Sequence, residues 1–143
     1  MKVFLFLIAM VSTSYSFADE CSKAVFQTEN PQALQSYMKE NPKLYRYGIV
    51  LGTKSNVTIH NDDSGNTFNV NMLVLKTNWG KAIILEHVGS TKIANINKPY
   101  VAIGFDCLNF LGYKPGSSIA SQLNKEAMNL GISYQGINEY IAL

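Results

Sequence analysis

The chain is short of several things, and each shortage excludes a class of function. It has two cysteines, Cys21 and Cys107, and no C-x-x-C pair, so a redox-active dithiol centre is not encoded. Arg46 is its only arginine, and there is no basic run. A phosphate-binding surface needs clustered Lys and Arg, so nucleic acid is not an expected partner. The signatures G-x-S-x-G, H-E-x-x-H and G-x-x-x-x-G-K-[ST] are all missing, which removes the familiar serine hydrolase, zinc protease and nucleotide-binding readings. No metal and no cofactor is expected. After Val11 no apolar stretch is long enough to span a bilayer. Repeats, linkers and low-complexity segments are absent as well.

What is present begins with the first residues, MKVFLFLIAMVSTSYSFADE. Lys2 gives a positive start, and Val3 to Val11 is an unbroken apolar run of nine residues. Small residues Ser16 and Ala18 then stand at −3 and −1 of a cut before Asp19. This is the pattern of a secretory signal peptide, and the run is too short for a membrane span of about 20 residues. Asp19-Glu20 before Cys21 is wrong for lipoprotein processing, which wants a small residue there. The expectation is residues 1–18 as signal peptide, cleavage after Ala18, and a single periplasmic or secreted domain over 19–143.

The mature chain keeps 11 basic and 10 acidic residues, a formal charge of +1. Charged residues make up 15% of the whole sequence, too few for wholesale disorder. In an exported protein an even cysteine count reads as disulfide, so Cys21 and Cys107 are expected to pair. That bond would close most of the mature chain, a stabilisation of about 4–5 kcal/mol in the chain-entropy view.

Along the mature chain, Cys21 to Gln27 reads as a short helix. Asn30 suits a helix N-cap with Pro31 at the first helical position, and Asn41-Pro42 stops that helix near Glu40. From Leu44 the texture is of strands. Tyr45, Tyr47, Ile49 and Leu51 alternate with their neighbours, as do Val57 and Ile59, then Phe68, Val70, Met72 and Val74. Asn61 to Asn66 and Thr77 to Gly80 are turns. Ala82 to Val88 is a further strand, Thr91 to Ile96 a shorter one, and Tyr100 to Phe110 a long one. Ser118 then suits an N-cap. Ile119, Leu123, Ala127 and Leu130 share one helical face, and Gly131 suits a left-handed C-cap. The tail from Ile132 is apolar enough for a last strand. Short connections favour antiparallel hairpins. The fold class read from this order is α+β: an antiparallel sheet of five or six strands with an N-terminal and a C-terminal helix packed on one face.

Few residues offer chemistry. His60, His87, Glu86 and Asp106 are the polar groups that could hold a ligand or metal, with Asp62 and Asp63 near His60. Glu86 and His87 are adjacent in a strand, however, so they point to opposite faces. The Asn61–Asn66 loop fails as a calcium loop, because counting from Asn61 puts Gly65 at position five and Met72 at twelve. Asn56-Val57-Thr58 is a glycosylation sequon, meaningful only in a host that modifies exported chains. Trp79, the single Trp, stands in a turn, where it either anchors a partner or folds over the core edge. Tyr45 and Tyr47 share a strand face beside it in the reading, with Tyr100 and Tyr113 near the ends of the last strand.

The functional expectation is an exported, non-catalytic binding protein, an inhibitor, immunity-type or assembly partner of another exported protein, using Trp79, Tyr45 and Tyr47. The alternative is a small-molecule binder or simple enzyme with a pocket between sheet and helices.

Overall fold

A computed structural model describes residues 23–42, 44–105 and 112–143. The expected leader, Cys21, Asp106 and Cys107 lie outside the described residues, as does the side chain of Tyr45. The elements run β1 (Lys23–Thr28), α1 (Pro31–Glu40), β2 (Leu44–His60), β3 (Thr67–Thr77), β4 (Gly80–His87), β5 (Tyr100–Phe105), β6 (Gly112–Tyr113), α2 (Ser118–Asn129) and β7 (Ile137–Ala142). The class is α+β.

The helix boundaries follow local chemistry. Asn30 takes an extended backbone, and its side chain accepts from the Gln32 N–H at 2.8 Å. Pro31 follows at the first helical position, where a missing N–H costs nothing. Asn41 closes α1 by donating its side-chain amide to the Tyr37 carbonyl at 2.9 Å. At α2 the cap is Ser117 rather than Ser118, accepting from Ala120 N at 3.2 Å. Gly131 terminates α2 with φ +82°, and Ile132 N reaches back to the Ala127 carbonyl at 3.0 Å.

Among the described residues the strands form one seven-stranded sheet in the order β1-β5-β2-β3-β4-β7-β6, of which β6 contributes two residues, where five or six strands were expected. The sheet is mixed, which corrects the expectation of a wholly antiparallel one. β7 lies parallel to β4, with Ile83 opposite Tyr140 and Ile84 opposite Ile141. The physical reason is the crossover. Between β4 and β7 the chain makes β5, β6 and α2, long enough to return in the same direction. The other pairings among the described residues are antiparallel.

Three further sequence readings differ from the structure. The segment read as a first helix is strand β1, paired along its length with β5, Lys23 opposite Phe105 and Thr28 opposite Tyr100. A short apolar run of this length carries no decisive period, and the open edge of β5 settles it. The segment from Thr91 to Ile96 is a set of turns, not a strand. Its Ile93 and Ile96 are buried, so they serve as a lid rather than a ladder. Finally, the two alternating stretches on either side of Lys54 are one 17-residue strand, β2. It is bent by bulges between Val50 and Gly52 and between Lys54 and Val57. Asn56, at φ 58°, occupies the second bulge, a conformation Asn tolerates better than most residues.

Both faces of the central strands are buried. On one, Met72, Val74, Ile83 and Leu85 pack against Ala120, Leu123 and Ala127 of α2. On the other, Leu73, Leu75 and Ile84 pack beneath Ile93 and Ile96 from the β4–β5 connection. β3 therefore reads as a nearly continuous apolar run instead of alternating, as expected for a strand covered on two sides. α1 packs on β1 and β5, where Phe26 stacks on Tyr37 with ring centroids 4.1 Å apart. Among the described residues no helix is long and apolar enough to cross a membrane.

Candidate functional site

The β3–β4 hairpin tip is built by local rules. Thr77 hydroxyl donates to the Gly80 carbonyl at 2.8 Å and accepts from Trp79 N at 3.0 Å. Gly80 carries the positive φ of the turn, +119°, so Trp79 need not adopt it. The tip lies beside the β2 residues Arg46 and Tyr47 on one side and the start of β7 on the other. The Arg46 guanidinium sits 5.3 Å from the Trp79 ring centroid, and the Tyr47 ring meets Trp79 edge-on at 5.9 Å. Asn138 donates its amide to the Trp79 carbonyl at 2.8 Å. Asn78 donates to the Tyr47 hydroxyl at 2.9 Å. Arg46 is held in turn by Glu139, with Nε on Oε1 at 2.8 Å and Nη2 on Oε2 as a second contact, a bidentate pair.

The indole itself is not folded into the core. Trp79 is 55% exposed, the most exposed aromatic side chain among the described large hydrophobics. The result is an aromatic surface with restricted freedom: stacked on one cation, braced by one tyrosine, tied through its backbone to β7.

Next to it lies a groove between α1 and the sheet, of about 350 Å³, with Leu34, Met38, Tyr47, Ile49 and Tyr100 as apolar wall. Tyr47 and Asn78 line the groove and also touch the Trp79 cluster, so the two are contiguous. Among the described residues Lys76 is the one charged residue of the lining, and no carboxylate stands in it.

The titratable candidates are dispersed. His60 and His87 project from opposite faces of the sheet. Ile59 belongs to the cluster under α2, so its neighbour His60 points away from it, whereas His87 stands opposite Val70 of that same cluster. Among the described residues no group of three His, Cys, Asp or Glu side chains converges on a metal position. The backbone of His60 is instead clasped by Gln122, whose Oε1 accepts from His60 N and whose Nε2 donates to His60 O, both at 2.9 Å.

Glu86 is fully buried. Its Oε1 accepts from Ile93 N at 2.8 Å, Ala94 N at 3.1 Å and Asn71 Nδ2 at 3.2 Å. The carboxylate therefore pins the β4–β5 connection to the sheet. Its Oε2 is buried with no partner among the described residues. His87 borders a second cavity of about 250 Å³, walled by Phe68, Val70, Leu85 and Tyr113. Burial pushes the Tyr113 phenol above its ordinary value.

Trp79 is legible as the single Trp in a turn and Tyr47 as an aromatic on a strand face, while their contact is visible only in the structure. Sequence reasoning misses Arg46, Glu139, Asn138 and Lys76. Arg46 does carry a signal, being the lone guanidinium among lysines, since Arg is the residue that stacks and pairs bidentately. Glu139 and Asn138 carry none, because only the β4–β7 pairing brings them to the tip. Against known protein families, curated proteins and solved structures, the sequence matches no family model, no curated protein and no solved structure.

Proposed function

We propose that this protein is exported and binds another exported protein through its β3–β4 tip, as an inhibitor, immunity-type or assembly partner. The observation that carries this reading is Trp79: more than half exposed, yet fixed by Arg46, Tyr47 and Asn138. A large aromatic surface ordered before binding loses little conformational freedom when a partner covers it, and Trp and Arg are enriched at energetic centres of interfaces. Tyr47 belongs to the same surface. α1 and α2 lie on a common face of the sheet: Phe26, stacked on α1, points opposite to its neighbour Val25, which packs in the cluster away from α2. The groove opens on that face.

The test is a pull-down of the processed protein from its own periplasmic or secreted fraction, repeated with Trp79→Ala. The expected loss is about 2 kcal/mol or more of binding, with folding unchanged because the indole is not core. Undiminished capture by the variant would remove Trp79 from the reading.

Export carries its own proposals. Cleavage after Ala18 predicts a mature N-terminus at Asp19, read by N-terminal sequencing. The Cys21–Cys107 disulfide is a proposal from the even cysteine count of an exported chain. The described β1–β5 register runs from Lys23 opposite Phe105 to Thr28 opposite Tyr100, and were it to run on by two residues, 21 would stand opposite 107. Directly opposed residues of antiparallel strands have Cα atoms about 4.5–5.5 Å apart, within disulfide reach. An intact mass lighter by two hydrogens than the dithiol form checks it.

A second reading, a small-molecule site, has one supporting observation, the cavity bordered by His87. A co-purifying ligand that shifts the His87 imidazole resonances would favour it over the tip.

A further inference from the structure

The groove under α1 has a chemistry of its own, and the inference here rests on the Trp79 reading above. Its wall is apolar, from Leu34, Met38, Tyr47, Ile49 and Tyr100, and Ile49 is 42% exposed on it. Its volume, about 350 Å³, stands at the small end of ligand pockets, which run from roughly 300 to 1,000 Å³. That is room for about one or two large side chains rather than a folded element.

The charge in the groove is one-sided. Lys54 pairs with Glu126, Lys98 with Glu29 and Arg46 with Glu139, while the Lys81 ammonium donates to the carbonyls of Ser133 and Gln135. Lys76 has no ion-pair or hydrogen-bond partner among the described residues, and it is the cation that stands against the apolar groove. On β3 it follows Met72 and Val74 along one face, at the point where the helices cease to cover that face. A recess with an apolar wall whose described lining holds a single cation and no carboxylate complements a hydrophobic group that bears a negative charge.

We infer that the groove receives a hydrophobic side chain of the same partner segment that anchors on Trp79, with a carboxylate of that segment, from Asp, Glu or a free C-terminus, on the Lys76 ammonium. Tyr47 joins the two subsites: its ring braces Trp79 and walls the groove, and its hydroxyl is held by Asn78. The partner presents an extended acidic-apolar strip, not a basic or purely polar one. Lys76 sets which partner is accepted, and Trp79 supplies most of the grip.

The probe is a displayed library of random peptides selected on the protein expressed from its full reading frame, in parallel with Lys76→Glu and Trp79→Ala. Both positions are exposed, and a thermal melt confirms that the variants fold. The wild type is expected to enrich peptides with a large apolar residue next to Asp, Glu or the C-terminus. Lys76→Glu should weaken a synthetic peptide of that consensus roughly tenfold in fluorescence anisotropy and should enrich basic peptides instead, because reversing the charge turns attraction into repulsion. A consensus without a carboxylate, or equal affinity for Lys76→Glu, overturns the groove inference. In that event the loss of binding in Trp79→Ala still upholds the anchor. Peptides that ignore Trp79→Ala overturn the anchor reading, and enrichment of no peptide family overturns both.

Discussion

Removing the Glu86 carboxylate should loosen the β4–β5 connection before it unfolds the sheet. Glu86 is fully buried, and its Oε1 is the acceptor for the N–H groups of Ile93 and Ala94. In Glu86→Ala the Ile93 N–H is left in a buried setting without an acceptor, a loss of about 1–3 kcal/mol. The Ala94 N–H is only part-buried and regains water, so it adds about 1 kcal/mol. Asn71 Nδ2 keeps the Ser90 carbonyl at 3.2 Å and loses little. Deleting the buried, unpartnered Oε2 offsets some of this. Before that offset the loss is about 2–4 kcal/mol, against a whole-domain stability of roughly 5–15 kcal/mol. Glu86→Gln keeps an oxygen acceptor and gives up only the charge-assisted part, about 1–2 kcal/mol. Urea unfolding should therefore rank wild type above Gln above Ala. Native-state hydrogen exchange should show the amides of Ile93 and Ala94 losing protection in Glu86→Ala while β3 retains it. An Ala variant as stable as wild type, or one whose amides at 93 and 94 stay protected, would refute this account of the carboxylate.

Two further outcomes follow from the packing. Gly48→Ala should lower stability by about 1–3 kcal/mol, because a Cβ at that position would fall on the Lys76 carbonyl, backbone that cannot step aside. The urea midpoint reads the loss, and Trp79 fluorescence reads the displacement of Tyr47 beside it. At alkaline pH the protein should lose stability. Burial raises the phenols of Tyr113 and Tyr140, in the second case opposed in part by the hydrogen bond to Asn124. The unfolded chain then releases these protons first, so the contribution is intact below the unfolded value near 10 and declines as pH rises through the folded values. UV titration of tyrosinate in Tyr113→Phe and Tyr140→Phe should each remove a late-titrating group; phenols that all titrate together in the folded protein would contradict it.

How much of this is legible depends on how local each signal is. Asn30-Pro31 and Gly131 bound their helices by side-chain and backbone chemistry within a few residues, and the sequence shows such things; at α2 the sequence reading falls one residue late, on Ser118 instead of Ser117. The hairpins at Asn61–Asn66 and Thr77–Gly80 are similarly short-range. β1 is not legible, because Ala24, Val25 and Phe26 suit helix or strand equally, and only the waiting edge of β5 chooses. Nor is the parallel β4–β7 pair, which depends on where α2 delivers the chain. The site divides along the same line. Trp79 stands out as an aromatic in a turn and Tyr47 as one on a strand face. The ion pair that steadies them joins residues 93 positions apart, and nothing near Arg46 in sequence announces Glu139. Glu86 offers a carboxylate for ligand chemistry in the sequence, yet its partners are mainly backbone N–H groups, which no residue identity reveals.

The long strand β2 raises a last problem, that of an open edge. Beyond Ile49 it pairs only with β3, so among the described residues no strand covers its other side as far as His60. Such an edge invites pairing with another chain. The structure answers in three ways. The bulges at 50–52 and 54–57 break the flat ladder, Lys54 places a charge on it, and Gln122 of α2 covers its end. The last is the most specific. Asn61 N bonds to Asn66 O, so the next pair out, His60 with Thr67, turns its N–H and C=O away from β3. The Gln122 amide meets both groups, doing for one residue what a neighbouring strand would do for many. Gln122→Ala should therefore cost only about 0.5–1.5 kcal/mol, since water replaces the amide at this exposed site. Its larger effect should be on association: faster loss of monomer on mild heating, measured by size exclusion. Gln122→Glu separates the contributions, because it keeps the acceptor for His60 N–H but leaves the carbonyl open and adds a charge at the edge. It should lose similar stability while remaining monomeric. If Gln122→Ala aggregates no faster than wild type, the bulges and Lys54 suffice to guard β2, and the clasp on His60 serves only to dock α2.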